Sequence, residues 1–126
     1  MPNEIQSSND RKYDLEERTA RFGERVIDFA KTLQRNAINV PLISQVARAA
    51  TSVGANYMEA DGAESKNDFR HKIALCKKES KESRHWLRMI AKANPDKVDE
   101  CRKLWQEANE FALIFSAIIR SKKNDQ

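Results

Sequence analysis

The sequence contains few of the residues that interrupt helices or crosslink chains. Among its 126 residues there are three glycines, three prolines and two cysteines. The scattered glycines form no phosphate-binding loop, and so few glycines and prolines are typical of a helical protein. The two cysteines, Cys76 and Cys101, are too few for a disulfide framework, and we interpret them as buried, reduced thiols.

Long apolar runs are also missing. No segment approaches the roughly 18 consecutive apolar residues that a membrane-spanning helix requires. The first segment, MPNEIQSSND, is polar and acidic, and it therefore does not resemble a signal peptide. We expect a cytoplasmic protein with a flexible tail at each end, residues 1–12 and 122–126.

Charged residues, in contrast, are abundant. They make up 33% of the chain, against 40% hydrophobic residues, and the formal net charge is +4. This length and balance predict one domain with a single apolar core and a charge-rich surface. The modest positive charge permits an acidic partner such as nucleic acid without requiring one.

Apolar residues recur at helical spacing in four segments, of which the first two are separated by RNAINVP. The first segment covers residues 14–35, and Asp14 could cap its start. The second runs from about Pro41 to Ala60. We expect Val40 to be non-helical because it precedes a proline, and Gly62 to end the helix in a left-handed conformation.

The third and fourth segments follow in the same manner. Ser65 and Asp68 form a capping-box variant that starts the third helix, which ends near KANPD. Asn94 is expected to cap the fourth, with Pro95 in its first turn. The predicted core line of the fourth helix is Val98, Cys101, Trp105, Ala108, Ala112, Phe115 and Ile119, widened by Leu104, Phe111 and Ile118. Short connections predict an all-α, antiparallel up-down-up-down four-helix bundle over residues 13–121.

Polar residues interrupt the predicted core faces of the second and third helices. They are Ser52, Asn56 and Glu59 on the second, and Glu79 and Glu82 on the third. Antiparallel packing would bring these faces together, and buried carboxylates must be paired or hydrogen-bonded. The candidate partners are Arg18, Arg21, Arg25, Arg48 and Lys78.

Three interpretations of this polar set stay open. It could fix the register of the helices, it could form bonds across a subunit interface, or it could bind a metal. ESRH supplies one Glu-x-x-His pair, Glu82 and His85, which Glu59 and Glu79 could join. Di-iron bundles carry two such pairs and two further glutamates, so metal binding is the minor alternative and we predict no cofactor.

Residue spacings typical of nucleophilic catalysis are also missing. Neither histidine lies at a recognised spacing from a cysteine or serine, and His71 lies off the face of Cys76. There is no zinc-ligand spacing either. We therefore predict a non-enzymatic protein without catalytic residues.

Basic residues recur along one side of the third helix, and we call this set the basic stripe. It consists of Lys66, Arg70, Lys77, Lys81, Arg84 and Arg88. The carboxylates of Glu79 and Glu82 are expected to point away from it. The stripe predicts either a solvated face or a strip that contacts nucleic-acid phosphates without sequence specificity. No aromatic residues are interleaved, so the pattern gives no support for recognition of single-stranded bases.

Two segments, SVGANYMEA and ESKNDFRHKIALCKKESKESRHWLRM, resemble the bacterial four-helix bundle proteins encoded by intervening sequences in 23S ribosomal RNA genes. That family tends to show Ser-x-x-x-Asn-x-x-Glu, Ser-x-x-x-Phe and Lys-Glu-x-x-Glu-Thr-x-x-Trp-Leu. The matching residues are Ser52, Asn56 and Glu59; Ser65 and Phe69; and Lys78, Glu79, Glu82, Trp86 and Leu87. Ser83 replaces the usual threonine. Asp14, Leu15, Arg18, Phe22 and Val26 resemble the family's first helix, and the resemblance spans about residues 13–120.

This resemblance implies a bundle that assembles as a ring, a pentamer, and that is associated with ribosomal RNA. A more distant resemblance is to the accessory proteins of diversity-generating retroelements, which are pentameric bundles that bind nucleic acid and a reverse transcriptase. No catalytic residues carry over. The polar set, with Lys78, belongs to the family's signature, which favours a role in register or at an interface.

We therefore expect a non-enzymatic, oligomeric bundle that binds RNA through the basic stripe. The alternative is a protein-binding adaptor whose basic face only keeps it in solution. RNA affinity that weakens steeply with salt would distinguish the two, because phosphate contacts release counterions.

Overall fold

The structure is a computed structural model that describes the backbone of residues 8–124 and the side chains of residues 15–121. It contains four helices, α1 (Ser8–Ala30), α2 (Asn39–Asp61), α3 (Lys66–Ala93) and α4 (Val98–Asn124), and a 3₁₀ turn, Pro95–Lys97, before α4. Residues 8–124 contain no strand. The predicted all-α fold is confirmed.

The order of the contacts shows that neighbouring helices run antiparallel. As the chain advances along one helix, it meets successively earlier positions of the next. For α1 and α2 the contacts are Thr19–Gly54 and Gly23–Thr51, and for α2 and α3 they are Lys72–Glu59 and Glu79–Arg48. For α3 and α4, Arg84 contacts Asn109 and Arg88 shares a cleft with Arg102. For α1 and α4, Arg18 contacts Glu107 and Phe29 shares a cleft with Leu104. Of the four neighbouring pairs, α1 and α4 make the least contact.

One apolar core joins all four helices. Its members are Phe22, Val26, Phe29, Leu33, Val46, Ala50, Val53, Tyr57, Ala60, Ile73, Cys76, Leu87, Ile90, Cys101, Leu104, Ala108, Phe111 and Phe115. Ser80 and Ser83 are buried in the α3 part of this core. Each hydroxyl donates to the carbonyl one turn earlier at 2.8 Å, which satisfies the buried polar group. No helix within residues 8–124 is both long and apolar enough to cross a bilayer.

The first helix differs at both ends from its prediction. It is already helical at Ser8, so Asp14 lies inside α1 and does not cap it. Residues 8–12 and 122–124 of the predicted tails are therefore helical, whereas residues 1–7 and 125–126 lie outside the described part. The helix ends at Ala30, because the N–H groups of Thr32 and Leu33 bond three residues back in a tighter turn.

The second helix begins earlier than predicted, and Val40 is helical. The side chain of Asn36 accepts hydrogen bonds from the backbone N–H groups of Ile38 and Asn39, at 3.1 and 2.8 Å. These bonds satisfy donors that a helix start leaves free, so the helix begins at Asn39 despite the following proline. Pro41 is accommodated in the first turn, where no N–H partner is needed.

Two caps were predicted at the corner between α2 and α3, of which that of Gly62 is wrong and that of Ser65 is confirmed. Gly62 has φ −97° and ψ 13°, which is not left-handed, because its N–H bonds to the carbonyl of Glu59 in a tight right-handed turn. Ser65 does cap α3, and its Oγ accepts from the N–H of Asp68 at 2.9 Å. The connection between α2 and α3 is therefore short, as predicted.

Asn94 does not have its predicted role as a cap of the fourth helix. Its side chain forms no bond to the N–H groups that follow, and the 3₁₀ turn comes before α4. Instead the amide donates to the Ile90 carbonyl and pairs with the amide of Asn39, each at 2.9 Å. This pair ties the start of α2 to the corner between α3 and α4.

Candidate nucleic-acid interface

The third helix carries more positive charge than the whole chain. It contains nine Lys and Arg against three Asp and Glu, a net of +6, whereas the chain has +4 overall. Two of its three carboxylates, those of Glu79 and Glu82, face α2 and accept from Arg48. The positive charge on the other side of α3 is therefore left largely without compensation within the helix.

The basic stripe lies along one face of α3, as predicted. At about 100° per residue, its six positions fall within about 60° of one another around the helix. From Lys66 to Arg88 the stripe is about 33 Å long at 1.5 Å per residue. Lys66, Lys81 and Arg88 are exposed, whereas Arg70, Lys77 and Arg84 are half-buried.

None of the six stripe residues forms a salt bridge within residues 15–121, whereas several other basic side chains do. Those that do are Arg18, Arg21, Arg48, Lys72, Lys97 and Arg102. In the stripe, Arg70 donates to the amide oxygen of Asn67 at 2.8 Å and Arg84 to that of Asn109. Both partners are neutral, so all six charges remain available to an anionic ligand.

Trp105 lies beside the stripe, contrary to its predicted place in the core. It remains 36% exposed, whereas Cys101, Ala108, Ala112 and Phe115 of the same predicted line are buried, as are Leu104 and Phe111. The guanidinium of Arg84 lies over the indole, 5.8 Å from the ring centroid. No aromatic residue is interleaved in the stripe itself, and this aromatic neighbour comes from the next helix.

An open cleft of about 170 Å³ adjoins Trp105. It is lined by Arg88 and Ala91 of α3 and by Val98, Cys101, Arg102 and Trp105 of α4. Arg102 pairs with the exposed Asp99 at 3.2 Å. The lining of the cleft is thus almost entirely apolar, and Arg88 and Arg102 contribute their aliphatic stems to it.

The polar residues of α2 and α3 do not form one network. Arg48 donates to Glu79 at 3.1 Å and to Glu82 at 2.6 Å, which confirms it as a partner of these carboxylates. Hydrogen bonding to Glu79, followed by the attraction of both carboxylates, raises the pKa of Arg48. Nearer the corner, Glu59 pairs with Lys72 at 2.7 Å.

The remaining polar residues and their candidate basic partners have other contacts. The amide of Asn56 donates to the Ser52 carbonyl of its own helix at 2.9 Å. Lys78 is exposed, and among the described side chains neither it nor Arg25 forms a salt bridge. Arg18 binds Glu107 and Glu110 on α4, and Arg21 binds Glu17 on α1.

The residues of the metal alternative are not gathered into one site. Glu79 and Glu82 are bound by Arg48, Glu59 is bound by Lys72, and the His85 ring packs edge-on against Trp86, with centroids 4.8 Å apart. In the part of the chain that the structure describes, no group of three or more His, Cys, Asp and Glu is placed to hold a metal ion.

Both cysteines are buried and unbonded to one another, as predicted. Burial raises the pKa of the Cys76 thiol to about 12 and that of Cys101 to about 11. Both thiols are therefore protonated near neutral pH. Because only a thiolate is an effective nucleophile, both cysteines are poor nucleophiles there.

The sequence profile of the 23S rRNA-intervening sequence protein family matches residues 11–117. The chain belongs to this family. The match extends over the basic stripe, the polar set and Trp105, and it confirms the resemblance first seen in the segments of α2 and α3.

The fold also matches a solved structure of a relative. The crystal structure of a protein of unknown function from the S23 ribosomal protein family of Bacteroides thetaiotaomicron superposes with a TM-score of 0.79. The two sequences are 24% identical, and the match covers 86% of this chain and 97% of the other. That similarity shows the four-helix fold. No curated protein matches the sequence.

Proposed function

We propose that this protein is an RNA-binding bundle that contacts phosphates through the basic stripe. The observation that carries this proposal is that six cations share one face of α3 and none has a carboxylate partner within residues 15–121. Lysine and arginine contacts to phosphates supply affinity without sequence specificity. Membership of a family named for 23S rRNA supports ribosomal RNA as the ligand.

The same proposal describes a protein without catalytic activity and without a cofactor. The thiols of Cys76 and Cys101 are buried and held protonated, which makes them poor nucleophiles. The family resemblance supplies no catalytic residues. A cytoplasmic location accords with a ribosomal RNA ligand.

The RNA contact is tested by reversing charges on the stripe. The variant Lys66→Glu/Lys81→Glu/Arg88→Glu changes three exposed stripe residues. The matched control, Lys31→Glu/Arg35→Glu/Lys103→Glu, changes three exposed cations elsewhere that also form no salt bridge within residues 15–121. Both triples change the net charge equally, so a non-specific charge effect would weaken both alike.

We expect the stripe variant to lose at least about tenfold in RNA affinity relative to the control. Its slope of log K against log salt should be shallower by about 2 to 3, because each phosphate contact contributes about 0.7 to 0.9. Filter binding or fluorescence anisotropy over a salt series measures both quantities, and circular dichroism checks folding. Equal losses in the two variants would exclude a dedicated phosphate strip.

We further infer that the protein forms a ring of identical subunits, with the number five taken from the family resemblance. The outer side of α1 and α2 supports a subunit contact. Ile27 and Met58 are 41% and 61% exposed there, beside a cleft of about 320 Å³ with the small residues Ala20, Gly23, Gly54 and Ala55. Exposed apolar surface of this kind is typical of interfaces. A ring would also combine several basic stripes into one field.

Native mass spectrometry of untagged protein, purified without nuclease or chelator, tests the assembly. A pentameric mass is expected, and a monomer at micromolar concentration would overturn the ring. The apolar cleft between α1 and α2 also favours one second candidate, a protein-binding adaptor. A ring that shows no RNA affinity even at low salt would support that candidate instead.

A further inference from the structure

We propose that the cleft beside Trp105 receives an unpaired RNA base, which stacks on the indole. The RNA that follows the basic stripe would then be single-stranded at this point. This inference rests on the proposed RNA-binding function and adds the structural state of the RNA and one specific contact. It arises from α3 and α4 together, since neither helix supplies the site alone.

The two tryptophans of the chain differ in their surroundings. Trp86 is half-buried and packs against the core, and its ring makes a T-shaped contact with that of His85. Trp105 is more exposed, and the guanidinium of Arg84 lies over its ring. Leu104 and Phe111 fill the α4 part of the core, so packing leaves part of the indole surface free for a ligand.

The unpaired cations near Trp105 lie along α3. Lys81 and Arg88 precede and follow Arg84 by about 4.5 and 6 Å along that helix. Arg102, on the same helix as Trp105, also lines the cleft, but it is paired with Asp99. A base stacked on the indole would therefore have the positive charge of α3 near its flanking phosphates.

Arg84 is held in position by a second contact. It donates to the amide oxygen of Asn109 while its guanidinium lies over the Trp105 ring. A guanidinium fixed over an aromatic face strengthens the platform through a cation–π contact. Proteins that bind single strands combine a positive groove with aromatic side chains on which bases stack.

This arrangement discriminates between single-stranded and double-stranded RNA. In an A-form duplex the bases are paired and stacked on one another, and proteins contact mainly phosphates and 2′-hydroxyls. A duplex could therefore engage the basic stripe but could not place a base on Trp105. An unpaired strand could do both.

The test uses the full chain and two probes, a 15-nucleotide unstructured RNA and the duplex formed with its complement. In the Trp86→Phe variant, Trp105 is the single tryptophan and reports directly on its surroundings. We expect the single strand to quench its fluorescence on binding and the duplex to leave it almost unchanged. Trp105→Phe, with Trp86 retained, should show little quenching by either probe.

Affinity gives the second readout. We expect Trp105→Leu to weaken single-strand binding about tenfold, while Trp105→Phe retains most of the affinity, because phenylalanine also offers a stacking face. Duplex binding should change less than about twofold in both variants, because only phosphate contacts hold it. Leu113→Ala, which removes another exposed apolar side chain of α4, is the matched control and should bind both probes normally.

Failure of this inference and failure of the proposed function give different results. If neither probe binds at low salt, the RNA-binding function itself is wrong. If both probes bind through the basic stripe but Trp105 is not quenched, or if Trp105→Leu weakens both probes equally, base stacking is excluded and phosphate binding stands. Should Trp105→Leu fold poorly, the quenching of Trp105 in Trp86→Phe still decides the matter.

Discussion

At the scale of single residues, two asparagines hold one end of the bundle together. Asn39 is 1% exposed, and its amide donates to the Gln34 carbonyl at 2.8 Å and to the side chain of Asn94 at 2.9 Å. Asn94 donates back to the Asn39 side chain at 2.9 Å. The pair joins the connection between α1 and α2 to the corner between α3 and α4, which are far apart in the chain.

Removal of this amide pair should destabilise the fold. Asn39→Ala removes the donor to the Asn94 side-chain oxygen and to the Gln34 carbonyl, while the Asn94 amide keeps its bond to the Ile90 carbonyl. We expect the free energy of unfolding to fall by about 2 to 3 kcal/mol, because unsatisfied buried polar groups lose their solvation without gaining a bond. Urea denaturation measures the change. The exposed Gln45→Ala is the control, and a loss as small as the control's would contradict the proposed clamp.

At the scale of elements, two arginines each connect a pair of helices. Arg48 of α2 holds Glu79 and Glu82 of α3. Arg18 of α1 donates two hydrogen bonds of 2.8 Å to the carboxylate of Glu107 on α4. Its Cζ also lies 5.0 Å from the centroid of the Phe111 ring. The second link is important because α1 and α4 otherwise make the least contact of any neighbouring pair.

The link from Arg18 predicts a pH dependence of stability. Its hydrogen bonds lower the pKa of Glu107 from an ordinary value of 4.5. Because the pKa is lowered, the ionised carboxylate stabilises the fold fully above pH 4.5. This contribution is lost as the pH falls through the pKa of the folded state. Near pH 7, Glu107→Gln should therefore be less stable by about 1 kcal/mol, with allowance for partial solvent exposure.

As the pH falls below 4.5 the difference between wild type and Glu107→Gln should shrink, and it should vanish below the lowered pKa of Glu107 in the folded state, because the wild-type carboxylate is then protonated as well. Thermal or urea unfolding over a pH series measures this. Glu110→Gln is the control, since the Glu110 side chain is 61% exposed and its loss should have little effect. A stability difference that persists unchanged in acid would show that Glu107 acts through packing instead of charge.

We expect the ion pair of Arg48 with Glu79 to stabilise the contact between α2 and α3 more than its pair with Glu82. The Glu79 side chain is 11% exposed and that of Glu82 is 38% exposed, whereas Arg48 itself is 49% exposed. Double-mutant cycles with alanine should give a coupling energy of about 1 kcal/mol for Arg48 with Glu79 and at most about 0.5 kcal/mol with Glu82. Equal couplings would mean that burial of Glu79 does not strengthen its ion pair.

At the scale of the whole molecule, positive charge is concentrated on one helix, whereas the apolar core is shared by all four. Charge is asymmetric, because α3 has +6 and the remainder of the chain sums to −2. The core is shared, because one apolar cluster includes side chains from all four helices. We therefore expect electrostatic binding on one face and cooperative unfolding of the bundle as a unit.

The two thiols test that cooperativity. Cys76 and Cys101 lie on different helices in the same core, and both pKa values are raised by burial. Near pH 8, a thiol reagent should label neither residue in the native protein, and both should be labelled with one rate constant as urea promotes unfolding. Mass spectrometry of the labelled peptides measures each site. Faster labelling of Cys101 would show that α4 opens separately.

The sequence by itself determined the number of helices, the all-α fold, most of the core and the shared face of the basic stripe. Each of these depends on the helical period of 3.6 residues per turn, and the spacing of apolar and basic residues in the sequence shows this period directly. The Ser65 cap was equally readable, because a capping box involves only neighbours in the chain. The C-terminal end of α1 and the conformation of Gly62 were not predicted, since backbone bonds in tight turns set them.

Only the tertiary structure decided that Trp105 lies at the edge of the core face of α4. Residues of both adjacent lines on α4 are buried, and helical periodicity does not say which single position is left at the edge. The packing of α4 against its neighbours buries Leu104 and leaves Trp105 beside Arg84. The pairing of Asn39 with Asn94 likewise became visible only in three dimensions. Contacts between helices depend on their relative rotation, which the spacing within one helix does not contain.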